Sequence, residues 1–316
     1  MILAATLLSG AMFSAVLMPI VLRRLMFQVS PVVALIAWLS TVAGLFVLAA
    51  AAVAVLAWPA AHAPTEGPLE TMVRCLTALQ HTARPWIGEA LAASVVVLAC
   101  GIVARVSVAV RRHRRVRAKV RNFHRDVVAI VARAETGKHP VMWLDHPLPM
   151  AYSIDGRPGY VVATEGLARC LTDRQQAAVI AHERAHLHAR HHRILSACEV
   201  FAAALPRVPL LAAAPPAVET LIELVADRAA AKATSVNSMS TALRAVSSSS
   251  TSGAPLSPVH FSDSINVRLR RLDEAPLDSG KAVMTVYAAA FAVLLPVVAA
   301  AMALAAAAGA ACLIAA

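Results

Sequence analysis

Charge is scarce in this sequence, and negative charge is scarcest. Charged residues make up 15% of the chain, with 29 Lys and Arg against 18 Asp and Glu; an ordinary soluble domain carries roughly a quarter. Whole stretches have no charge at all: residues 1–22, residues 25–65 with their apolar part at Pro31–Trp58, residues 90–104 and residues 282–316. With a hydrophobic fraction of 59% and a mean hydropathy of +0.67, these stretches exclude an ordinary soluble globule. Cysteine is also sparse. Cys75, Cys100, Cys170, Cys198 and Cys312 show no CxxC or other metal-ligand spacing, which excludes a disulfide framework and a thiolate zinc site. They read as small apolar packing residues. Internal repeats are absent.

About 20 apolar residues cross a bilayer, so each uncharged stretch can hold one helix. The fold class expected is an α-helical membrane protein with four transmembrane helices, at about 1–22, 31–58, 86–110 and 282–316. Between the third and the fourth, residues 111–281 form a mainly α domain with a small β-sheet. Residues 1–22 have no basic stretch before the apolar run, and Arg23-Arg24 follows it, which favours a retained span over a cleaved signal. The third span ends in Arg111, Arg112, Arg114, Arg115, Arg117, Lys119, Arg121 and Arg125 with no acid among them. The positive-inside rule therefore puts residues 111–281 in the cytoplasm and both termini outside the inner (plasma) membrane. A net charge of +11 could suggest nucleic acid, but so many of the basic residues sit beside a span that they read as an orientation signal on anionic lipid. No direct nucleic-acid binding is expected.

Chemistry concentrates at His182-Glu183-Arg184-Ala185-His186. Two histidines four apart lie on one helix face, about 5–6 Å apart at Cβ, so both imidazoles can reach one ion. The His-Glu-x-x-His helix with the glutamate as general base is an established zinc-peptidase signature. Thr172 and Gln175 offer a capping box that starts this helix near Asp173. A catalytic zinc needs a third protein ligand and an open position. Glu223, on a second apolar-patterned helix, supplies the carboxylate, and Asp227 one turn on can fix a histidine tautomer. Glu219 competes for the third place, but lacks the Ala226-Asp227 continuation. His188, His191 and His192 are expected as solvated histidines complementing a helix C-terminus.

With Glu223-x-x-Ala226-Asp227 behind it, His182–His186 resembles the gluzincin membrane metallopeptidases. It looks most like the BlaR/MecR type and next most like the HtpX-type and CAAX-prenyl endopeptidases. The resemblance implies one Zn2+ per chain on His182, His186 and Glu223, with Glu183 as the base. It also implies a protein substrate: a cytoplasmic transcriptional repressor in the BlaR/MecR case, or damaged membrane proteins in the HtpX case. A catalytically silent zinc-binding receptor or scaffold is the non-enzyme alternative, against which Glu183 argues, since a structural site needs no base. Antibiotic-binding relatives carry an extracellular sensor after the last span. The sequence ends at Ala316, so no such penicillin-binding domain is expected.

Around this core, Tyr160, Val161, Val162, Ala163 and Thr164 form a strand expected to align an extended substrate by β-addition. Val141–Leu144 is a second candidate strand, and Arg111–Ala134 is expected to continue the third span as a basic helix. Residues 194–216 are apolar enough to resemble a span. A crossing there would part Glu223 from His182 and His186, so burial or an interfacial position is expected instead. The serine-rich residues 235–258 are expected to form a flexible loop that could gate the site. Related peptidases carry a histidine-proline pair and then an arginine helix closing over the site, which makes His260 and Arg268 candidate substrate or transition-state contacts. By itself Arg268–Arg271 reads as a solvated or lipid-facing helix.

Overall fold

The computed structural model describes residues 2–57, 89–131, 133–135, 140–156, 159–250 and 258–273. The expected span at 282–316 and the 59–88 connection lie outside the described residues.

The chain opens with α1 (Ile2–Val16) and α2 (Met18–Leu25), bent by 44° at the break between them. Pro19 has no N–H to continue the ladder, and its ring crowds the preceding turn, so the helix restarts rather than runs on. After a short connection, α3 (Pro31–Ala57) packs back along α1. α4 (Glu89–Val131) is one unbroken helix from the apolar stretch through the basic run. It ends sooner than the sequence suggests: Arg133–Glu135 leaves the helix to form strand β1.

Three more strands follow, β2 (Val141–Leu144), β3 (Ala151–Ile154) and β4 (Tyr160–Thr164), and the sheet order is β1-β2-β4-β3. β2 and β4 run parallel with Val141 opposite Val161, while β3 returns antiparallel on the far side of β4 with Ile154 opposite Tyr160. This order corrects the expectation for Tyr160–Thr164. β4 is interior, both its hydrogen-bonding edges are taken, and Val161, Val162, Ala163 and Thr164 are fully buried. It has no edge to offer a substrate. The edge strands are β1 and β3, and β3 packs against the motif helix.

The remaining elements are α5 (Glu165–Cys170), α6 (Asp173–His188), α7 (His191–Ala204), α8 (Pro209–Ala233), α9 (Val236–Ser250) and α10 (Pro258–Asp273). α9 is the second correction: serine-rich residues expected as a loop are helical. Met239 and Ala242 are buried at helical spacing. The hydroxyls of Ser247 and Ser248 donate to the carbonyls of Arg244 and Ala245 at 2.8 and 2.9 Å, so they satisfy themselves inside the helix.

α8 organises the molecule. Leu210, Leu211, Val218 and Leu221 pack in one cluster with Trp38 and Leu48 of α3 and Leu7 of α1. Phe201 of α7 meets Phe46 of α3 at 4.6 Å between ring centres. One apolar side of residues 194–216, with Cys198, Leu210, Leu211 and Ala214, is thus buried against the N-terminal hairpin. Each fully buried leucine contributes about 1.5–3 kcal/mol. By length and composition Pro31–Val53, Ser94–Lys119 and Pro209–Ala233 could each cross a membrane, as could α1 and α2 taken as one bent span. We read Pro209–Ala233 as a packing helix rather than a span, because it carries Glu219, Glu223 and Asp227 and 56% of its apolar window is buried in the protein. Finally, the buried guanidinium of Arg271 on α10 donates to the carbonyls of Met26 and Val29 at 3.1 and 2.8 Å. The α2–α3 connection is thereby fastened to α10.

Candidate metal centre

α6 begins where Gln175 reaches back to accept from the Thr172 backbone N–H at 2.9 Å and from its hydroxyl at 3.1 Å. Ala178 and Leu187 seat the helix in the core, and this orientation buries His182 and His186. Their Nε2 atoms stand 3.0 Å apart. α8 crosses against α6 and brings Glu223 to them: Oε2 lies 3.4 Å from Nε2 of His182, and Oε1 lies 3.4 Å from Nε2 of His186. All three ligand atoms fall within 4.8 Å of one another. A tetrahedral zinc with bonds of about 2.0–2.1 Å holds its ligand atoms about 3.3–3.4 Å apart. The triad therefore fits that ion in donor type and spacing.

Asp227, one turn beyond Glu223, is buried with Oδ1 2.9 Å from Nδ1 of His182, although the approach is too bent for a well-formed hydrogen bond. Burial would lower the pKa of His182, but the carboxylates of Asp227 and Glu223 outweigh it and raise it to about 9. For His186, burial and the neighbouring His182 act together and push the pKa down, so this imidazole is neutral. Burial would raise Glu223, but His182 and Arg268 hold it well below the usual carboxylate range. The triad thus offers an ionised carboxylate and one neutral imidazole, with a proton on His182 that a cation displaces.

Glu183 is half-buried between this cluster and Ser153 of β3. Burial raises its pKa, partly offset by His182 and by a hydrogen bond from the Ser153 hydroxyl. A carboxylate in that condition suits a general base.

Two further groups of residues enter the site. Arg268 of α10 grips Asp227 with two bonds, Nε to Oδ2 at 2.7 Å and Nη2 to Oδ1 at 2.6 Å, and its Nη1 lies 3.2 Å from Glu223. It is neither solvated nor lipid-facing; it closes the acidic side of the site. His260 falls on the same helix, but its side chain lies outside the described residues.

The second group corrects the reading of the helix-end histidines. His188 is exposed, whereas His191 is 1% exposed with its Nδ1 3.1 Å from Nδ1 of His186, and Nε2 of His192 lies 3.1 Å from the Ser153 hydroxyl. On an unbroken helix, residue i+5 lies about 140° round from residue i. Here Arg190 adopts a left-handed conformation (φ 53°, ψ 39°) that ends α6 and restarts the chain as α7. The reversal folds His191 back onto His186, where it can fix that ring's tautomer. A bulky residue in the left-handed region is uncommon. With glycine at 190, the break would have been easier to foresee.

Comparison with known proteins bears on the same segment. The model of peptidase family M48 matches residues 117–214, which include β2, β3, β4 and the whole of α6 but stop short of Glu223. This supports a metallopeptidase, a class in which zinc dependence is typical. No curated protein and no solved structure matches the chain.

Proposed function

We propose that this protein is a membrane-bound zinc metalloendopeptidase that hydrolyses peptide bonds of a protein substrate at the cytoplasmic face. The observation that carries it is the convergence of His182, His186 and Glu223 from two helices, with Glu183 half-buried beside them. A structural zinc site needs no base at that position.

His182, His186 and Glu223 would hold the ion. Zinc, when bound, supplies Lewis acidity that polarises a carbonyl and acidifies water. Glu183 takes a proton from the attacking water and hands it to the leaving amine. Asp227 orients His182, His191 orients His186, and Arg268 holds Asp227 in place. β3 pairs with β4 alone among the described residues, and an extended substrate adding to its outer edge would pass Ser153 and Glu183.

The finer reading is regulatory: limited cleavage of a cytoplasmic transcriptional repressor in a BlaR/MecR-like manner. It rests on the motif resemblance and on the basic run that favours a cytoplasmic site. Quality control of membrane proteins, HtpX-like, is the competing reading. Glu183→Gln keeps size and hydrogen bonding but removes the base. Proteolysis is expected to fall by at least ~10²-fold while zinc content stays at about one per chain; equal cleavage by both proteins would end the peptidase reading. The same pair of strains, compared for new protein N-termini in the cytoplasm, separates the finer readings. One discrete uncleaved DNA-binding protein in the Glu183→Gln strain supports regulation, and general accumulation of membrane proteins supports quality control.

A further inference from the structure

A groove of about 560 Å³ runs between α4 and α7, away from the metal centre. Its α4 wall is a stripe at helical spacing, Arg105, Val108, Arg112 and His113, and its floor includes Ala203 and Ala204 of α7. The stripe straddles the point where the uncharged part of the helix gives way to the basic run. Arg105 is the first charge after residues 90–104, and Arg112 lies about 10 Å further along the axis. Among the described residues no residue of Ser94–Lys119 is fully buried in the protein, so this wall faces lipid if the helix spans a membrane.

From these observations we infer that the groove binds one anionic phospholipid of the cytoplasmic leaflet, headgroup phosphate at Arg112 and Arg105, upper acyl chain against Val108, Ala203 and Ala204. Arg105 commits Nε to the Ala204 carbonyl at 3.1 Å, which fixes the rest of its planar donor fork toward the groove. Arg112 makes no ion pair among the described residues. His113 adds a buried Nε2 without a hydrogen-bond partner, 3.6 Å from the Glu199 carboxylate. Among the described residues Glu199 is the acid that pairs with this stretch of α4, and Arg117 already meets it at 3.2 Å. The volume is within the range of small-molecule sites, and holds a headgroup and part of one chain while the remainder stays in the bilayer. A basic pocket beside a membrane helix on the cytoplasmic side is the kind of site that selects anionic headgroups.

This inference depends on α4 being a membrane helix, and not on zinc or peptidase activity. The test uses purified full-length protein in neutral detergent, titrated with phosphatidylglycerol or phosphatidylcholine of equal chain length, with bound lipid counted by native mass spectrometry. One retained phosphatidylglycerol per chain is expected, at a preference of at least tenfold. Ala203→Trp fills the groove without changing charge, and Arg112→Gln removes one exposed cation; each is expected to cut retention about tenfold with zinc content unchanged. Arg114→Gln with Arg115→Gln removes more charge outside the groove and is expected to leave retention intact. Equal retention of the two lipids overturns the inference. So does a loss in the Arg114/Arg115 variant as large as that in Arg112→Gln, or tight binding of glycerol phosphate without acyl chains. A second copy of this chain or a peptide in the groove, with no lipid retained, overturns it as well. Should the tryptophan unfold the helix pair, Arg112→Gln decides alone.

Discussion

Ser94–Lys119 and Pro209–Ala233 are nearly matched in length and both pass as membrane spans, with mean hydropathies of 1.9 and 1.4. Their surroundings are opposite. None of the first window is buried in the protein, and more than half of the second is. Apolarity records only that a helix avoids water; it does not say whether lipid or protein replaces the water. The residues that tell the two apart are the few polar ones. Arg105 stands where the uncharged stretch of the first helix ends and reaches a neighbouring helix end, whereas Glu223 and Asp227 sit within the second and meet histidines and an arginine. An acid retained in a helix packed by protein marks a site.

The hardest way to strain this contrast is to make α8 look more like a span. Glu223→Leu raises its apolarity and removes the third ligand. Zinc content, measured on the purified protein, is expected to fall from about one per chain to none, with loss of peptidase activity. Retention of stoichiometric zinc would take Glu223 out of the site.

Packing provides the next test. Leu221 is fully buried on α8, while Val97 on α4 is 70% exposed. Leu221→Ala is expected to cost about 2–5 kcal/mol by equilibrium unfolding in detergent, and Val97→Ala within about 0.5 kcal/mol. Similar losses at both positions would erase the distinction between the helices.

A smaller effect is expected at Asp227. Asp227→Asn keeps the shape but removes the charge that holds both His182 and Arg268, and zinc affinity is expected to drop about 10–100-fold by competition with a chelator.

The smallest effect is one of pH. The acids around His182 hold its pKa up at about 9 in the metal-free protein, so the proton is bound below that value and zinc must displace it. Apparent zinc affinity is expected to rise about tenfold per pH unit from neutrality toward pH 9 and then level off, with about one proton released per zinc. Calorimetry in buffers of different ionisation enthalpy reads the proton directly. A flat profile would mean that His182 is already neutral.

The parts of this architecture that sequence alone reveals are those written locally. His182 and His186 need only helical spacing, α6 announces its start through Thr172 and Gln175, and Glu223 with Asp227 repeats the one-turn logic. What escapes is written in chain reversals. His191 reaches His186 only because Arg190 breaks the helix, and no periodicity signals a left-handed arginine. Strand β4 reads as available to a substrate because its parallel pairing with β2 depends on a crossover order that alternation of side chains does not encode. Serine composition suggests a loop over 236–250, although Met239 and Ala242 carry the helical spacing. In that last case the signal was present and composition outweighed it.

Arg271 gives the molecule an order of assembly. Its partners, Met26 and Val29, are made long before it, and α10 emerges only after every other described element. A chain still being synthesised could therefore hold His182, His186 and Glu223 in place before Arg268 arrives beside them. Closure of the acidic side of the site goes with the last described helix finding the α2–α3 connection, so the site is completed only when two segments far apart in sequence have met.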